Sequence, residues 1–181
     1  MKNLLIADAT KYIGDKSKSS FKRLKLTFSH TSYKYTSLLR KANYYKKKNK
    51  MLYLFYRYRL LKASIKFGYQ IGVDTIIGGG LYLGHRGAVV VNGRTTLGEN
   101  VSLSQGVTIG QENRGKRKGV PTIGNKVWIG TNAVIVGKIN IGNDVLIAPN
   151  SYVNFDVPSH SIVVGNPAKI IHRENATESY L

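Results

Sequence analysis

The chain has 181 residues, enough for one domain with a modest appendage. It contains no cysteine, which excludes disulfides, thiolate metal sites and cysteine nucleophiles. Asp8 and Lys11 interrupt the apolar segment that a signal peptide needs, and no stretch approaches the roughly 20 apolar residues of a membrane-spanning helix. We therefore expect a cytoplasmic protein.

The formal net charge of +19 is concentrated in the first third of the chain. Residues 1–67 carry a net charge of +16, whereas residues 68–181 carry only +3. Such a field attracts anionic lipid headgroups, phosphorylated ligands and polyanions. The same charge is equally compatible with an ordinary solvated helical surface.

Residues 1–67 are predicted to be mainly helical. In the segment 52–67, apolar residues recur at spacings of three and four: Leu52, Phe55, Tyr56, Leu60, Ala63 and Phe67. Gly68 is predicted to end this helix, because glycine readily adopts the left-handed conformation of helix C-termini. Residues 43–50 lack an apolar face, which indicates a connection or a frayed helix end.

From Ile71 onward an aliphatic residue occupies every sixth position, with shifts of frame near 91–94 and across 111–122. All thirteen positions are Ile, Leu or Val: Ile71, Ile77, Leu83, Val89, Leu97, Leu103, Ile109, Ile123, Ile129, Ile135, Ile141, Ile147 and Val153. The next residue is usually glycine or alanine, and small or β-branched residues recur four places after the aliphatic one. This period predicts a solenoid in which each hexad supplies a short strand and a corner. The fold class is therefore mainly β, a parallel β-helix preceded by an α-helical N-terminal region.

The motifs within residues 69–171 resemble those of the hexapeptide-repeat acyltransferases, and above all of their serine acetyltransferase branch. They are Leu83-Gly84-His85, Leu103-Ser104-Gln105-Gly106-Val107-Thr108-Ile109-Gly110, Pro121-Thr122-Ile123-Gly124, Val127-Trp128-Ile129-Gly130 and Val163-Val164-Gly165-Asn166-Pro167-Ala168-Lys169. The resemblance implies a left-handed, three-sided β-helix, acetyl-CoA as donor, a hydroxyl as acceptor and a homotrimer. The chain then divides into a basic helical region (1–67), an acyltransferase domain (68–171) with an inserted loop (111–119), and a C-terminal tail (172–181).

Of the four histidines, only His85 interrupts the repeats. Its Leu-Gly-His-x-Gly setting matches the family's catalytic position, which implies that His85 is the general base. It would take the acceptor's proton while the oxygen attacks the thioester directly, without an acyl-enzyme. Relatives orient this histidine with an aspartate fifteen residues earlier, where this chain has Gln70. The amide oxygen of Gln70 is a candidate for the same role, and no metal is expected.

The resemblance also implies a coenzyme A site on solenoid corners, in the groove between neighbouring β-helices. The matching residues are Gly110, Gly130, Thr131, Ala148 and Pro149. Lys169 is expected to pair with the nucleotide phosphates. The basic loop 111–119 either covers the site or is only a solvated surface, and both interpretations remain open.

Serine-using relatives carry charged substrate contacts at positions that are uncharged here: Gln70, Gly84 and the pair Gly119-Val120. A zwitterionic acceptor needs compensating charges when it is desolvated. We therefore expect the acceptor to be a saccharide hydroxyl of a capsule, exopolysaccharide or lipopolysaccharide precursor. Gly84 and Asn92 are predicted to lie beside this substrate.

Three alternatives stay open. The first is serine O-acetylation in cysteine biosynthesis, and the second is acetylation of an amine on a nucleotide sugar. The third is a non-catalytic scaffold that binds polyanions through its N-terminal charge, which predicts no coenzyme A binding. The basic region also predicts peripheral association with the anionic inner face of a membrane, whereas nucleic acid is not expected as a partner.

Overall fold

The computed structural model describes residues 1–181 and places a region of four helices beside the first coil of a solenoid. The helices are α1 (Lys2–Ile13), α2 (Ser20–Ser29), α3 (Thr31–Tyr45) and α4 (Lys50–Phe67), with a short 3₁₀ helix (Gly14–Lys18) between α1 and α2. Gly68 ends α4 with φ 77°, as the sequence predicts. None of the four helices has the length and apolarity that crossing a bilayer requires.

The connection between α3 and α4 is shorter than the predicted segment 43–50. Helix α3 continues to Tyr45, and α4 already begins at Lys50. The ring of Tyr45 stacks on that of Tyr56 at 5.5 Å, and the Asn49 side chain accepts a hydrogen bond from the Leu52 amide. Tertiary packing and an N-terminal cap thus extend both helices into a segment that lacks an apolar face.

The solenoid is built from short strands that repeat on three faces. The strands are β1 (Tyr69–Ile71), β2 (Ile76–Ile77), β3 (Tyr82–Leu83), β4 (Val89–Val91), β5 (Thr96–Leu97), β6 (Ser102–Leu103), β7 (Thr108–Gly110), β8 (Thr122–Ile123), β9 (Val127–Ile129), β10 (Val134–Val136), β11 (Asn140–Ile141), β12 (Val145–Ile147), β13 (Tyr152–Val153), β14 (Ser161–Gly165) and β15 (Ala168–His172). The faces are β1-β4-β7-β10-β13, β2-β5-β8-β11 and β3-β6-β9-β12-β14. Strands of successive coils pair in parallel on each face, and in the last coil the second face has only an isolated bridge between Ile141 and Val157. This confirms the predicted parallel β-helix.

The hexad positions form the core. Twelve of the thirteen aliphatic side chains are at most 5% exposed, and Ile77 is partly buried. The residues four places later, such as Val107, Val127 and Ala133, also point inward and are fully buried. The narrow axis explains why these second positions are small or β-branched.

Glycine follows the aliphatic residue because successive coils touch at the corners. A Cβ atom on Gly98 would lie 2.5 Å from the carbonyl oxygen of Gly124, and one on Gly78 would lie 2.6 Å from the carbonyl carbon of Gly98. Any side chain there would separate the coils.

A buried ion pair joins the helices to the first coil. Asp8 of α1 is fully buried, and both of its oxygens lie 3.0 Å from the guanidinium of Arg40 in α3. The carboxylate also accepts the amides of Gly80 and Leu81, while Arg40 donates to carbonyl groups at 77–78. Burial raises the pKa of the Asp8 carboxyl, and the Arg40 guanidinium opposes this shift. The pair therefore sets the position of α1 and α3 on the solenoid.

The C-terminal end closes with features that the hexad pattern does not predict. Strand β15 pairs antiparallel with β14, and the following tail returns to the side of the solenoid. There the Asp144 carboxylate accepts hydrogen bonds from the Ala176 amide and from the Thr177 amide and hydroxyl. His160 Nδ1 lies 3.0 Å from the same carboxylate. Burial disfavours the Asp144 anion, but these hydrogen bonds prevail and lower its pKa to about 2.

We predict that Asp144→Asn releases the tail without unfolding the solenoid. The pKa of Asp144 is lower in the folded chain than its ordinary 3.8, so its contribution is full above about pH 4 and is lost as the pH falls through about 2. A shift of this size is worth about 2 kcal/mol, or roughly thirtyfold in the opening equilibrium. Hydrogen exchange at Ala176 and Thr177 should accelerate by that factor in the variant. Asp74→Asn, which removes only an exposed ion pair with Lys46, should leave this exchange unchanged, and equal effects of both changes would contradict the assignment.

Candidate active site

His85 lies on an exposed corner of the solenoid, two residues after the end of β3. A hydrogen bond from the interior holds its backbone, because the hydroxyl of fully buried Tyr69 donates to the His85 carbonyl at 3.0 Å. The same hydroxyl lies 2.9 Å from the Ser32 hydroxyl on α3. Burial raises the pKa of Tyr69, which keeps this donor protonated. The corner that carries the predicted base is therefore held by both the helices and the first coil.

The His85 side chain lines a cleft of about 410 Å³ between the solenoid and the helices. The lining residues are Lys11, Tyr12, Ser29, His30, Thr31, Ser32, Tyr82, Gly84, His85 and Arg86. Most of them come from α1 and from the junction of α2 and α3. The structure thus brings His30 into the same cleft as His85, although the two are 55 residues apart in the sequence.

The cleft carries positive charge and no carboxylate. Arg86 donates from Nε to the Thr31 hydroxyl at 3.1 Å, and its guanidinium lies over the Phe67 ring at 5.6 Å. Lys11 forms no ion pair, and burial lowers the pKa of its ammonium group. An anionic group of a substrate would find favourable partners here.

Gly84, predicted to lie beside the substrate, does line this cleft. A Cβ atom at position 84 would lie 3.8 Å from the nearest atom, the Leu103 carbonyl oxygen, which is an ordinary van der Waals distance. The glycine is therefore not required by packing.

Gln70 and Asn92 lie elsewhere in the single chain. Both line a groove of about 780 Å³ between α4 and the β1-β4-β7 face, together with Gly110. Gln70 is exposed, and no hydrogen bond joins it to His85. Within one chain, the structure therefore does not bring Gln70 and Asn92 together with His85.

Four of the predicted coenzyme A residues do lie in line with His85. Gly84 donates its amide to the carbonyl of residue 103, Ser104 to that of 129, Gly130 to that of 147 and Ala148 to that of 163. The residues that follow these positions, including His85, Thr131 and Pro149, therefore lie along one edge of the solenoid. Coils are about 4.8 Å apart, so three coils place Pro149 about 14 Å along this edge from His85.

Lys169 lies near the end of that edge. It is exposed on β15 and pairs with Val164 of β14, one strand beyond the coil of Ala148. Packing alone requires glycine at position 130, because a Cβ atom there would lie 2.6 Å from the Pro149 nitrogen. Gly110 belongs to a different corner, beside the inserted loop.

The inserted loop folds back on itself. Glu112 and Gly119 exchange two backbone hydrogen bonds of 2.9 and 3.0 Å. The backbone carbonyl of Arg117 accepts a hydrogen bond from the backbone amide of Lys138 on the neighbouring coil. Neither the loop nor His160, which pairs with Asp144, lines the His85 cleft. The structure also contains no cluster of three or more residues suited to bind a metal ion.

Arg86, Lys11 and His30 were missed by reasoning from the sequence. Arg86 directly follows His85, so its position in the motif was a usable signal. Lys11 and His30 gave none, because no periodicity relates the helices to the solenoid. Only the docking of α1 and α3 places them in the cleft.

Comparison with known proteins identifies the family. The model of the bacterial transferase hexapeptide (six repeats) matches residues 121–154. Serine acetyltransferase of Helicobacter pylori is 38% identical over 118 residues, which cover 64% of this chain and 69% of that protein. Serine acetyltransferase 4 of Arabidopsis thaliana is 39% identical over 110 residues, but these cover only 31% of its length.

Solved structures agree over nearly the whole chain. Neisseria gonorrhoeae serine acetyltransferase in complex with serine superposes with a TM-score of 0.73 at 32% identity, covering 93% of this chain and 67% of that one. Brucella abortus serine acetyltransferase in complex with coenzyme A gives a TM-score of 0.77 at 28% identity, covering 94% and 67%. The match therefore includes the helical region in addition to the left-handed β-helix.

These comparisons correct the expected acceptor. The saccharide prediction is wrong, because the relatives and structural neighbours are serine acetyltransferases. The prediction considered only the uncharged positions 70, 84 and 119–120. It did not count Lys11 and Arg86, which bring positive charge to the cleft from outside the motif positions.

The repeats, the His85 corner and the likeness over both regions lead to one conclusion: the chain belongs to the serine acetyltransferase branch of the hexapeptide-repeat acyltransferases and is an acetyl-CoA-dependent acyltransferase.

Proposed function

We propose that this enzyme transfers the acetyl group of acetyl-CoA to the hydroxyl of L-serine. The observation that carries the proposal is the place of His85, at one end of a continuous corner edge and inside a cleft lined by cations. Structural neighbours bind serine and coenzyme A. The charge of the cleft favours an acceptor that carries an anionic group.

His85 is proposed as the general base of a direct transfer. In its neutral form it accepts the serine hydroxyl proton while the oxygen attacks the thioester carbonyl. The tetrahedral intermediate then collapses with cleavage of the carbon–sulfur bond, and the imidazolium returns the proton to the departing thiolate. The products are O-acetylserine and free coenzyme A.

The donor is proposed to lie along the corner edge. Gly130, Thr131, Ala148 and Pro149 offer backbone and small side chains beside the pantetheine arm, with the thioester towards His85. Lys169, near the end of this edge, is placed to meet the nucleotide phosphates.

We predict that His85→Ala lowers kcat by about 10²–10⁴, because a general base is lost. The melting temperature and coenzyme A affinity should change little, since the side chain is exposed and the corner is held through its backbone. The measurement is serine-dependent release of coenzyme A. His172→Ala, another exposed histidine, is the control and should retain activity. Turnover near the wild-type rate by pure His85→Ala enzyme would assign the base to another group.

We also propose that the working unit is a homotrimer. Gln70, Asn92 and Gly110 lie in a groove separate from the His85 cleft, so one complete site needs the groove of a neighbouring copy. Helix α4 supports this with an exposed apolar stripe at alternating spacings of three and four: Met51, Leu54, Tyr58, Leu61 and Ile65. A second copy would cover this stripe.

If the enzyme is a trimer, a charged residue introduced into the groove should weaken its assembly. Ile65, which lines the groove and is 78% exposed in the single chain, should be buried by the neighbour. Ile65→Lys should therefore shift sedimentation from three chain masses towards one and reduce activity in parallel. Leu24→Lys, at an exposed apolar site on α2, should leave the trimer intact. Full activity from a dilute wild-type monomer would disprove the shared site.

Finally, we propose that the enzyme is cytoplasmic and associates with the inner face of an anionic membrane. Residues 16–73 contain no acidic residue. On α2, Phe21 and Phe28 are 76% and 80% exposed and are interleaved with Lys22 and Lys25. Aromatic side chains among cations are typical of helices that lie at an anionic lipid interface.

This association predicts binding to phosphatidylcholine vesicles that contain phosphatidylglycerol, and not to phosphatidylcholine alone. The double change Phe21→Ser and Phe28→Ser should abolish cosedimentation, because the apolar contacts are lost. Ile76→Ser, at an exposed site on the solenoid, should bind like the wild type. Cosedimentation that is insensitive to both the α2 change and the lipid charge would contradict the proposal.

A further inference from the structure

We infer that Arg86 binds the carboxylate of the acceptor and so determines that the enzyme uses a carboxylate-bearing substrate. The inference rests on the proposed function, since it concerns the same site. It names a residue outside the positions at which the serine-using relatives carry their charged contacts.

Arg86 is held in a defined orientation with its donors free. Its Nε donates to the Thr31 hydroxyl at 3.1 Å, and its Cζ lies 5.6 Å from the centroid of the Phe67 ring. Nη1 and Nη2 form no hydrogen bond within the chain, and no carboxylate pairs with the guanidinium. An arginine held through Nε presents its two remaining nitrogens as a donor fork.

This fork fits a carboxylate in both chemistry and position. Two parallel N–H donors match the two oxygens of a carboxylate, and such charge-assisted pairs are the strong ones. Arg86 follows His85 directly and lines the same cleft. In serine the hydroxyl and the carboxylate are also only a few bonds apart, so a serine in this cleft presents both groups to its lining.

The rest of the cleft leaves the acceptor as the partner of this charge. No acidic residue lines it, so no group of the chain neutralises Arg86 there. The phosphate-binding candidate Lys169 lies at the far end of the corner edge, beyond Pro149. The coenzyme A phosphates are therefore expected well away from Arg86.

The positions used by relatives do not supply this contact here. The resemblance implies an Arg-His pair immediately before the proline that follows the loop, and Gly119-Val120 occupies it in this chain. A Cβ atom on Gly119 would lie 2.9 Å from the Lys138 side chain, so the neighbouring coil already occupies the space that a side chain at position 119 would need. The carboxylate contact has moved to the residue beside the base.

The test compares L-serine with ethanolamine, which has the same hydroxyl and ammonium groups but no carboxylate. Arg86→Gln should raise the KM for L-serine by roughly 10–100-fold, the usual effect of losing a charge-assisted contact. The KM for acetyl-CoA and the kcat should change little. The preference of kcat/KM for serine over ethanolamine should fall by the same factor, and Arg86→Lys should restore part of it. This ratio is measured within each variant, so it does not depend on the fraction of enzyme that folds.

Arg59→Gln is the matched control, because Arg59 also lies over a phenylalanine ring, at 5.5 Å, but outside the cleft. It should leave the preference unchanged. An Arg86→Gln enzyme that still prefers serine as strongly as the wild type would overturn the inference while the proposed function stands. An increase confined to the KM for acetyl-CoA would also overturn it, by assigning Arg86 to the phosphates.

The proposed function can also fail while the role of Arg86 stands. If the wild type acetylates another hydroxy acid and not serine, the proposed function fails. Arg86 keeps its role in that case if Arg86→Gln removes the preference for the acid over its carboxylate-free analogue. A wild type that acetylates alcohols without regard to a carboxylate would overturn both.

Discussion

The buried pair of Asp8 and Arg40 is the constraint on which the site depends. Its carboxylate accepts the backbone amides of 80–81, and its guanidinium donates to the carbonyls of 77–78, just before the corner of His85. Removing either partner would leave an uncompensated buried charge, which is strongly destabilising. The interaction therefore fixes α1 and α3 against the first coil, and these helices carry residues that line the cleft.

The proposed active site consequently combines two parts with different physical origins. The solenoid supplies His85 and a straight corner edge whose regularity follows from its repeated coils. The helices supply Lys11 and Thr31, whose positions follow from docking. The charge that favours an anionic acceptor arises only where these parts meet, at Arg86 and Lys11. This explains why an acceptor chosen from the motif positions alone was wrong.

The sequence predicted the periodic features well and the docked ones poorly. The hexads specify the β-helix and its core because the inward position repeats every coil, and Gly68 ends α4 as expected. The choice of His85 came from the match of Leu-Gly-His-x-Gly to the family's catalytic position, and its role as the base is a prediction. The return of β15 and the contact of the tail with Asp144 leave no periodic signal. Gln70 was placed beside His85 by the resemblance to relatives that have an aspartate at that position, yet in one chain Gln70 lines the groove and His85 lines the cleft.

The most direct measurement is a crystal structure of the enzyme with L-serine and coenzyme A bound. The account predicts the serine hydroxyl within hydrogen-bond distance of the His85 imidazole and its carboxylate on the Arg86 fork. The sulfur should lie at the His85 end of the corner edge, with the phosphates towards Lys169. Serine bound beside Gln70 and away from both His85 and Arg86 would contradict the account.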